Sequence, residues 1–213
     1  MISQLRPSIH HLGDQIIWVN SEYQKGRRNF NVELTPGVYD LFHDINWTPE
    51  ITRYNSLFEL DFNCKFTKFN PESFTPVDIP KSPYITIQFD TTQINSTEIT
   101  PEVKAYVISE NYKNFIINNY IKYGFEIVDI GGMKWTLSET AYIMKHSQGH
   151  VGASSAFGVF SRCVGVNFTH IYYNCNLREF LEILPDHYVG YVNLFSLNGI
   201  RNFFKDDNLN ISF

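Results

Sequence analysis

Residues 144–166 read MKHSQGHVGASSAFGVFSRCVGV, and no other stretch of the chain constrains its fold as tightly. A short segment ending in His150-Val151-Gly152 runs into small residues, Ala153-Ser154-Ser155-Ala156, and then into an apolar-periodic stretch closed by Gly165. That order predicts a strand, a tight turn and a helix. The first turn of such a helix carries backbone N–H groups without intrahelical acceptors, at the positive end of the helix dipole. A helix start of this kind binds anions, phosphate above all. Ser154-Ser155-Ala156 is equally a serine cap, because small polar residues suit any tight strand–helix junction.

The flanking segments extend the same pattern. Tyr84-Ile85-Thr86-Ile87-Gln88-Phe89 is a β-rich run. From Pro101 to Tyr123 a helical period brings Val103, Tyr106, Val107, Tyr112, Ile116 and Ile117 near one face, with Pro101 where a helix begins and Gly124 where it stops. Residues 125–130 form a second β-rich run ended by Gly131-Gly132, Leu137 to His146 reads as a helix, and residues 168–173 as a strand. Strands alternating with helices predict an α/β fold with a doubly wound, mostly parallel sheet over residues 82–175. In open α/β sheets ligands bind beyond the carboxyl ends of the strands. The loops Asp90-Thr91-Thr92-Gln93, Gly131-Gly132 and Gly152-Ala153-Ser154-Ser155 all belong to that edge. Asp90-Thr91-Thr92 offers hydroxyls and backbone donors, or is only a turn.

The first eighty residues are less regular. Leu12 to Val19 reads as a turn entering a helix, Asn31–Leu34 and Ser56–Leu60 as strands, and Pro36 to Asp44 as a short helix. Lys65 to Ser82 is rich in Pro, Ser, Thr and Asn and reads as a linker, which places a boundary near residue 80. The expected organisation is two small Rossmann-like lobes, a reduced one over 1–80 and a larger one over 81–213, with a cleft between them. Two further helices are expected in the tail, at 177–184 and 197–205. Gly13-Asp14 is either a helix cap or a carboxylate at the cleft mouth that accepts a proton from a bound hydroxyl.

Composition narrows the function. A net charge of −5 and a pI near 5.8 argue against a nucleic-acid footprint. No apolar run approaches the roughly 20 residues that span a bilayer, and the N-terminus has no signal-peptide core, so a cytoplasmic protein is expected. Three cysteines without a CxxC disfavour a disulfide framework or a zinc site. Seven histidines form no HExxH, and there is no DxD, P-loop, GxSxG or GxGxxG. No metal is expected.

With these residues in view, the chain resembles a small GT-B glycosyltransferase, most similar to the bacterial heptosyltransferase family. The resemblance rests on His11-Leu12-Gly13-Asp14-Gln15-Ile16, matching the family's early Gly-Asp turn, and on Val151 to Ser161, matching its strand–glycine–helix start. Ser154, Ala156 and Val159 stand where the family has Asp, Gly and His. The resemblance implies Asp14 as general base on an acceptor hydroxyl, with His11 and Gly13 on the acceptor side. It implies Thr91, Thr92, Gly131, Gly152, Ser154, Ser155 and Ala156 around the donor diphosphate. The reaction implied is metal-independent, inverting transfer from a nucleotide-diphosphate sugar to a glycan or lipid-linked acceptor. No cofactor is implied beyond that substrate, and the chain's aromatic richness suits a subunit interface in a homo-oligomer. Two other readings stand beside it: a non-catalytic nucleotide- or sugar-binding or assembly module, and a sugar-nucleotide epimerase or hydrolase using Glu139 and Asp129 as acids.

Overall fold

The computed structural model describes residues 12–30, 34–47, 66–90, 108, 110–132, 134–153, 155–173 and 191–193. In chain order its regular elements are helix α1 (Leu12–Gln24) and strands β1 (Asn29–Phe30), β2 (Asn46–Trp47) and β3 (Tyr84–Gln88), followed by helix α2 (Glu110–Lys122). Then come β4 (Glu126–Asp129), α3 (Leu137–His146), β5 (Gly149–Ala153), α4 (Ala156–Val164), β6 (Thr169–Tyr173) and β7 (Tyr191–Asn193). Short 3-10 turns occupy Tyr39–Leu41 and Pro71–Ser73.

The main sheet has the order β4-β3-β5-β6-β7, and every pair in it is parallel. β1 and β2 pair in parallel as a separate ribbon. All five residues of β3 and all five of β5 are buried, as central parallel strands covered on both faces require. The expected α/β class with a parallel sheet flanked by helices is the observed one.

Local chemistry sets the helix ends. The Thr136 hydroxyl accepts from Glu139 N–H while the Glu139 carboxylate accepts from Thr136 N–H, a reciprocal box that starts α3 at Leu137. α4 starts at the Ser155 cap and stops at Gly165, which adopts a left-handed φ of 81°. The expected helix from Pro101 is seen from Glu110 to Lys122, two residues before the left-handed Gly124; its anticipated start lies outside the described residues.

Two cores form, one on each face of the main sheet. The larger joins Ile16 and Val19 of α1 to Ile143 and Met144 of α3 and to Phe160 and Cys163 of α4. It draws on residues from both sides of position 80, where the composition shift places a boundary. The smaller packs Ile116 and Tyr120 of α2 onto Ile85, Ile87, Val151 and Tyr172.

Several local expectations need correction. The stretch expected as a linker is packed: Phe69 and Phe74 are buried in the larger core, and Phe69 N–H donates to the Cys163 carbonyl at 2.8 Å. Spaced aromatics in a polar sequence anchored it, whereas composition alone suggested a loose strap. The helix expected over Pro36–Asp44 shrinks to a single 3-10 turn. The strand expected at Asn31–Leu34 begins earlier, as β1 at Asn29 and Phe30; residues 31–33 lie outside the described set. β7 was not anticipated, and the strand at 56–60 and the two tail helices lie outside the described residues.

Candidate functional site

From β3 the chain crosses through α2 to β4 on one side, then returns through α3 to β5 on the other. This reversal opens a crevice beyond the carboxyl ends of β3 and β5, where open α/β sheets bind ligands. Gln88 ends β3 and pairs in register with Gly152 of β5. A Cβ on Gly152 would lie 2.2 Å from the Gln88 carbonyl oxygen, so only glycine lets the two strand ends approach this closely. Across the crevice, the Ser155 hydroxyl donates to Gln88 Oε1 at 2.6 Å. The same hydroxyl accepts from Phe157 N–H at 3.3 Å and thereby caps α4. Cap and crevice wall are thus one side chain. Gly158 N–H donates to the Ser155 carbonyl, and the N–H of Ala156 stands ahead of both at the helix tip.

A second helix begins at the same place. A Cβ on Gly13, in the first turn of α1, would lie 3.3 Å from Ala156 Cα, the first residue of α4. Further along, Thr67 N–H donates to Asn20 Oδ1 at 2.7 Å, and Lys68 Nζ donates to the Arg162 carbonyl at 2.8 Å. The two helices therefore lie side by side and point the same way. Parallel dipoles repel, and opposite charge at each end relieves the repulsion. Lys68 supplies the cation at the C-terminal end of α4. At the N-terminal end stand the half-buried Asp14, in the first turn of α1, and the two helix starts themselves.

The β4 side of the crevice has the opposite polarity. Asp129 Oδ1 accepts from Gly131 N–H at 2.8 Å. A Cβ on Gly131 would sit 3.1 Å from that oxygen and 3.8 Å from Asp90 Oδ2. Lys113 Nζ lies 3.5 Å from Asp90 and bonds Glu110 at 2.8 Å. Burial works to lower the Lys113 pKa, but its bonds to Glu110 and Asp90 outweigh this and raise it. The crevice is thus carboxylate-lined toward β4 and donor-rich toward α1 and α4.

Beneath Gly152 lies His150, with no exposed surface. Its Nδ1 is 3.1 Å from Thr86 Oγ1, which also lies 3.2 Å from the Gly149 carbonyl. Nε2 is buried and has no hydrogen-bond partner among the described residues. Desolvation pushes the His150 pKa down to about 3, against a hydrogen bond to the Thr86 backbone that favours the charged ring, so the ring is neutral at pH 7.

The structure thus gathers Gly13, Asp14, Gly131, Gly152, Ser155 and Ala156 along one edge. His11, Thr91, Thr92 and Ser154 lie outside the described residues. Val159 is 2% exposed and belongs to the core. Glu139 is engaged in the helix cap, where the Thr136 amide and then its hydroxyl hold its carboxyl below the usual range. Sequence reasoning missed Gln88, Thr86 and His150. The available signal was alternation within β3, where Thr86 and Gln88 put polar groups on one face of a strand that is buried throughout. Among the described residues no three His, Cys, Asp or Glu side chains are grouped to hold a metal, and no helix is long and apolar enough to cross a membrane.

The fold is a parallel sheet flanked by helices, with its crevice at the strand reversal. Among solved structures it is similar to the bacterial iron-containing dodecameric glycosyltransferase TibC from enterotoxigenic E. coli, with a TM-score of 0.52 and 12% identity. The match covers 77% of this chain and 56% of that one, so the chain spans little more than half of TibC's length. At this identity the likeness is one of fold. No protein-family model and no curated protein matches the chain.

Proposed function

We propose that the chain is a glycosyltransferase that holds the diphosphate of a nucleotide-activated sugar at the paired starts of α1 and α4. The observation that carries this reading is the contact between Gly13 and Ala156, which puts Asp14 and the Ser155 turn on one edge. Two helix starts and the backbone donors around them attract a diphosphate and stabilise the charge that grows on it as the sugar leaves. Hydroxyl-bearing parts of the substrate suit the carboxylate side, toward Asp90 and Asp129. Asp14 serves as the base that takes the acceptor's proton, and direct displacement with a single base inverts the anomeric carbon. The heptosyltransferase resemblance supports this assignment, as do the crevice's polarity and the fold it shares with TibC. In this reading the reaction needs no metal, and the acceptor is a glycan or a lipid-linked glycan.

Calorimetric titration with nucleoside diphosphates in EDTA should show saturable binding; binding that vanishes in EDTA would remove the metal-free claim. Asp14→Asn should lower transfer by about 100-fold or more while leaving nucleotide affinity within a few-fold. Full turnover by that variant would take Asp14 out of the mechanism. The burial of Val159, at the position where the family has histidine, favours a second reading in which the site binds nucleotide sugars without transferring them. Unaltered donor after long incubation with a panel of acceptors, despite tight binding, would select it.

A further inference from the structure

We infer that His150 is a concealed ligand-binding residue of the diphosphate site, whose Nε2–H donates to a phosphate oxygen once the Gln88–Ser155 hydrogen bond opens. The inference rests on the diphosphate reading above and adds to it a donor that no surface inspection shows.

The geometry begins with register. Thr86 pairs with His150 and Gln88 with Gly152, so His150 lies one step below the crevice floor. Its ring is held at the lower end by Thr86, whose Oγ1 is 3.1 Å from Nδ1. Nε2 occupies the upper end: a Cβ on Gly152 would sit 3.4 Å from it. The lone polar atom therefore faces the glycine turn and the start of α4. We take the bond from Ser155 Oγ to Gln88 Oε1, which joins the strand ends beside Gly152, as the roof over that atom.

Leaving a buried polar atom without a partner costs it the full desolvation penalty, so each such atom calls for an explanation, and a second state in which a ligand supplies the partner is one. Here the second state follows from the roof itself. Ser155 is the α4 cap, so an anion at the helix start competes directly for its hydroxyl. When the hydroxyl turns to a phosphate oxygen, Gln88 Oε1 is released and the path to Nε2 opens.

The anion sets the tautomer. The Thr86 hydroxyl has one hydrogen and two acceptors in reach, Nδ1 and the Gly149 carbonyl at 3.2 Å. Donated to Nδ1, it leaves the imidazole proton on Nε2, aimed at the anion. The ring adds a donor without adding charge.

The test is nitrogen NMR on protein carrying 15N-labelled histidine, titrated with inorganic pyrophosphate and with nucleoside diphosphates, together with calorimetry on His150→Phe and His150→Gln. In the complex, the His150 ring should be the neutral Nε2–H tautomer, with its Nε2 resonance displaced from that of the unliganded protein. His150→Phe should bind about tenfold more weakly, and His150→Gln, which keeps a donor, within about threefold of wild type. An unmoved Nε2 resonance in a saturated complex, or a proton on Nδ1 there, overturns the inference and leaves the diphosphate site standing. Failure of the wild-type protein to bind pyrophosphate or any nucleoside diphosphate overturns both. The resonance is read on wild-type protein, so it decides the matter even if His150→Phe does not fold.

Discussion

His150 and His170 sit on adjacent strands, both almost fully buried, on opposite faces of one sheet. On the α2 face, His170 Nδ1 shares a hydrogen bond with the Tyr120 hydroxyl, and its ring tilts against Phe168 at 4.6 Å between centroids. Phe168 also stacks on Tyr120, so the polar pair is closed in by aromatic packing. On the other face, among the described residues, His150 bonds only Thr86, and its upper nitrogen lies beside Gly152, next to the Ser155–Gln88 hydrogen bond. The same residue type at similar burial is a sealed core element in one place and the floor of a crevice in the other. Burial alone does not separate the two; what differs is whether each polar atom has found its partner.

Five perturbations test that contrast, in falling order of expected effect. Gly152→Ala drives a methyl against the Gln88 carbonyl on the crevice side, and neither strand can yield without breaking the ladder. A loss of about 3 kcal/mol or more is expected by urea denaturation. A small loss would show that the strand ends are looser than the crevice model requires.

Acid should act mainly through His150. Its folded pKa, near 3, lies below the unfolded value of about 6.5, so the stability it contributes is complete above pH 6.5 and is lost as pH falls toward 3. Between pH 6.5 and 4.5 the expected decline from this group is about 2 kcal/mol. His150→Gln, which does not titrate, should flatten the limb by that amount, and an equally steep limb in the variant would place the acid sensitivity elsewhere.

His170→Phe removes the hydrogen bond to the Tyr120 hydroxyl in an aromatic core, an expected loss of about 2 kcal/mol by urea denaturation at pH 8. His150→Phe strands less, because Thr86 keeps the Gly149 carbonyl, and should cost about half as much. Reversal of that order would undo the contrast between the faces. Lys68→Ala removes an exposed cation from the C-terminal end of α4, and about 0.5 kcal/mol should be lost, diminishing in high salt.

Much of the C-terminal half could be read from local chemistry. The bounds Leu137–His146 follow from the Thr136–Glu139 capping box, and α4 is bracketed by Ser155 and Gly165. The doubly wound sheet follows from strands and helices alternating at spacings that permit only crossover connections. The N-terminal region was harder because its signals were not local. Phe69 and Phe74 look like isolated aromatics in a polar strap, and only their burial against the core shared by α1 and α4 shows what they do. β7 is a short strand between stretches with stronger helical patterns.

The candidate site divides along the same line. Sequence by itself determined the glycine turn, the serine cap and the edge to which the loops belong, because backbone sterics and capping act within a few residues. Only the tertiary structure brought Gly13 to Ala156 across more than a hundred residues, made Gln88 the partner of Ser155, and left His150 Nε2 facing the turn. Those relations depend on strand register and on two helices packing in parallel. Long-range packing decides them, and no local window of sequence contains the information.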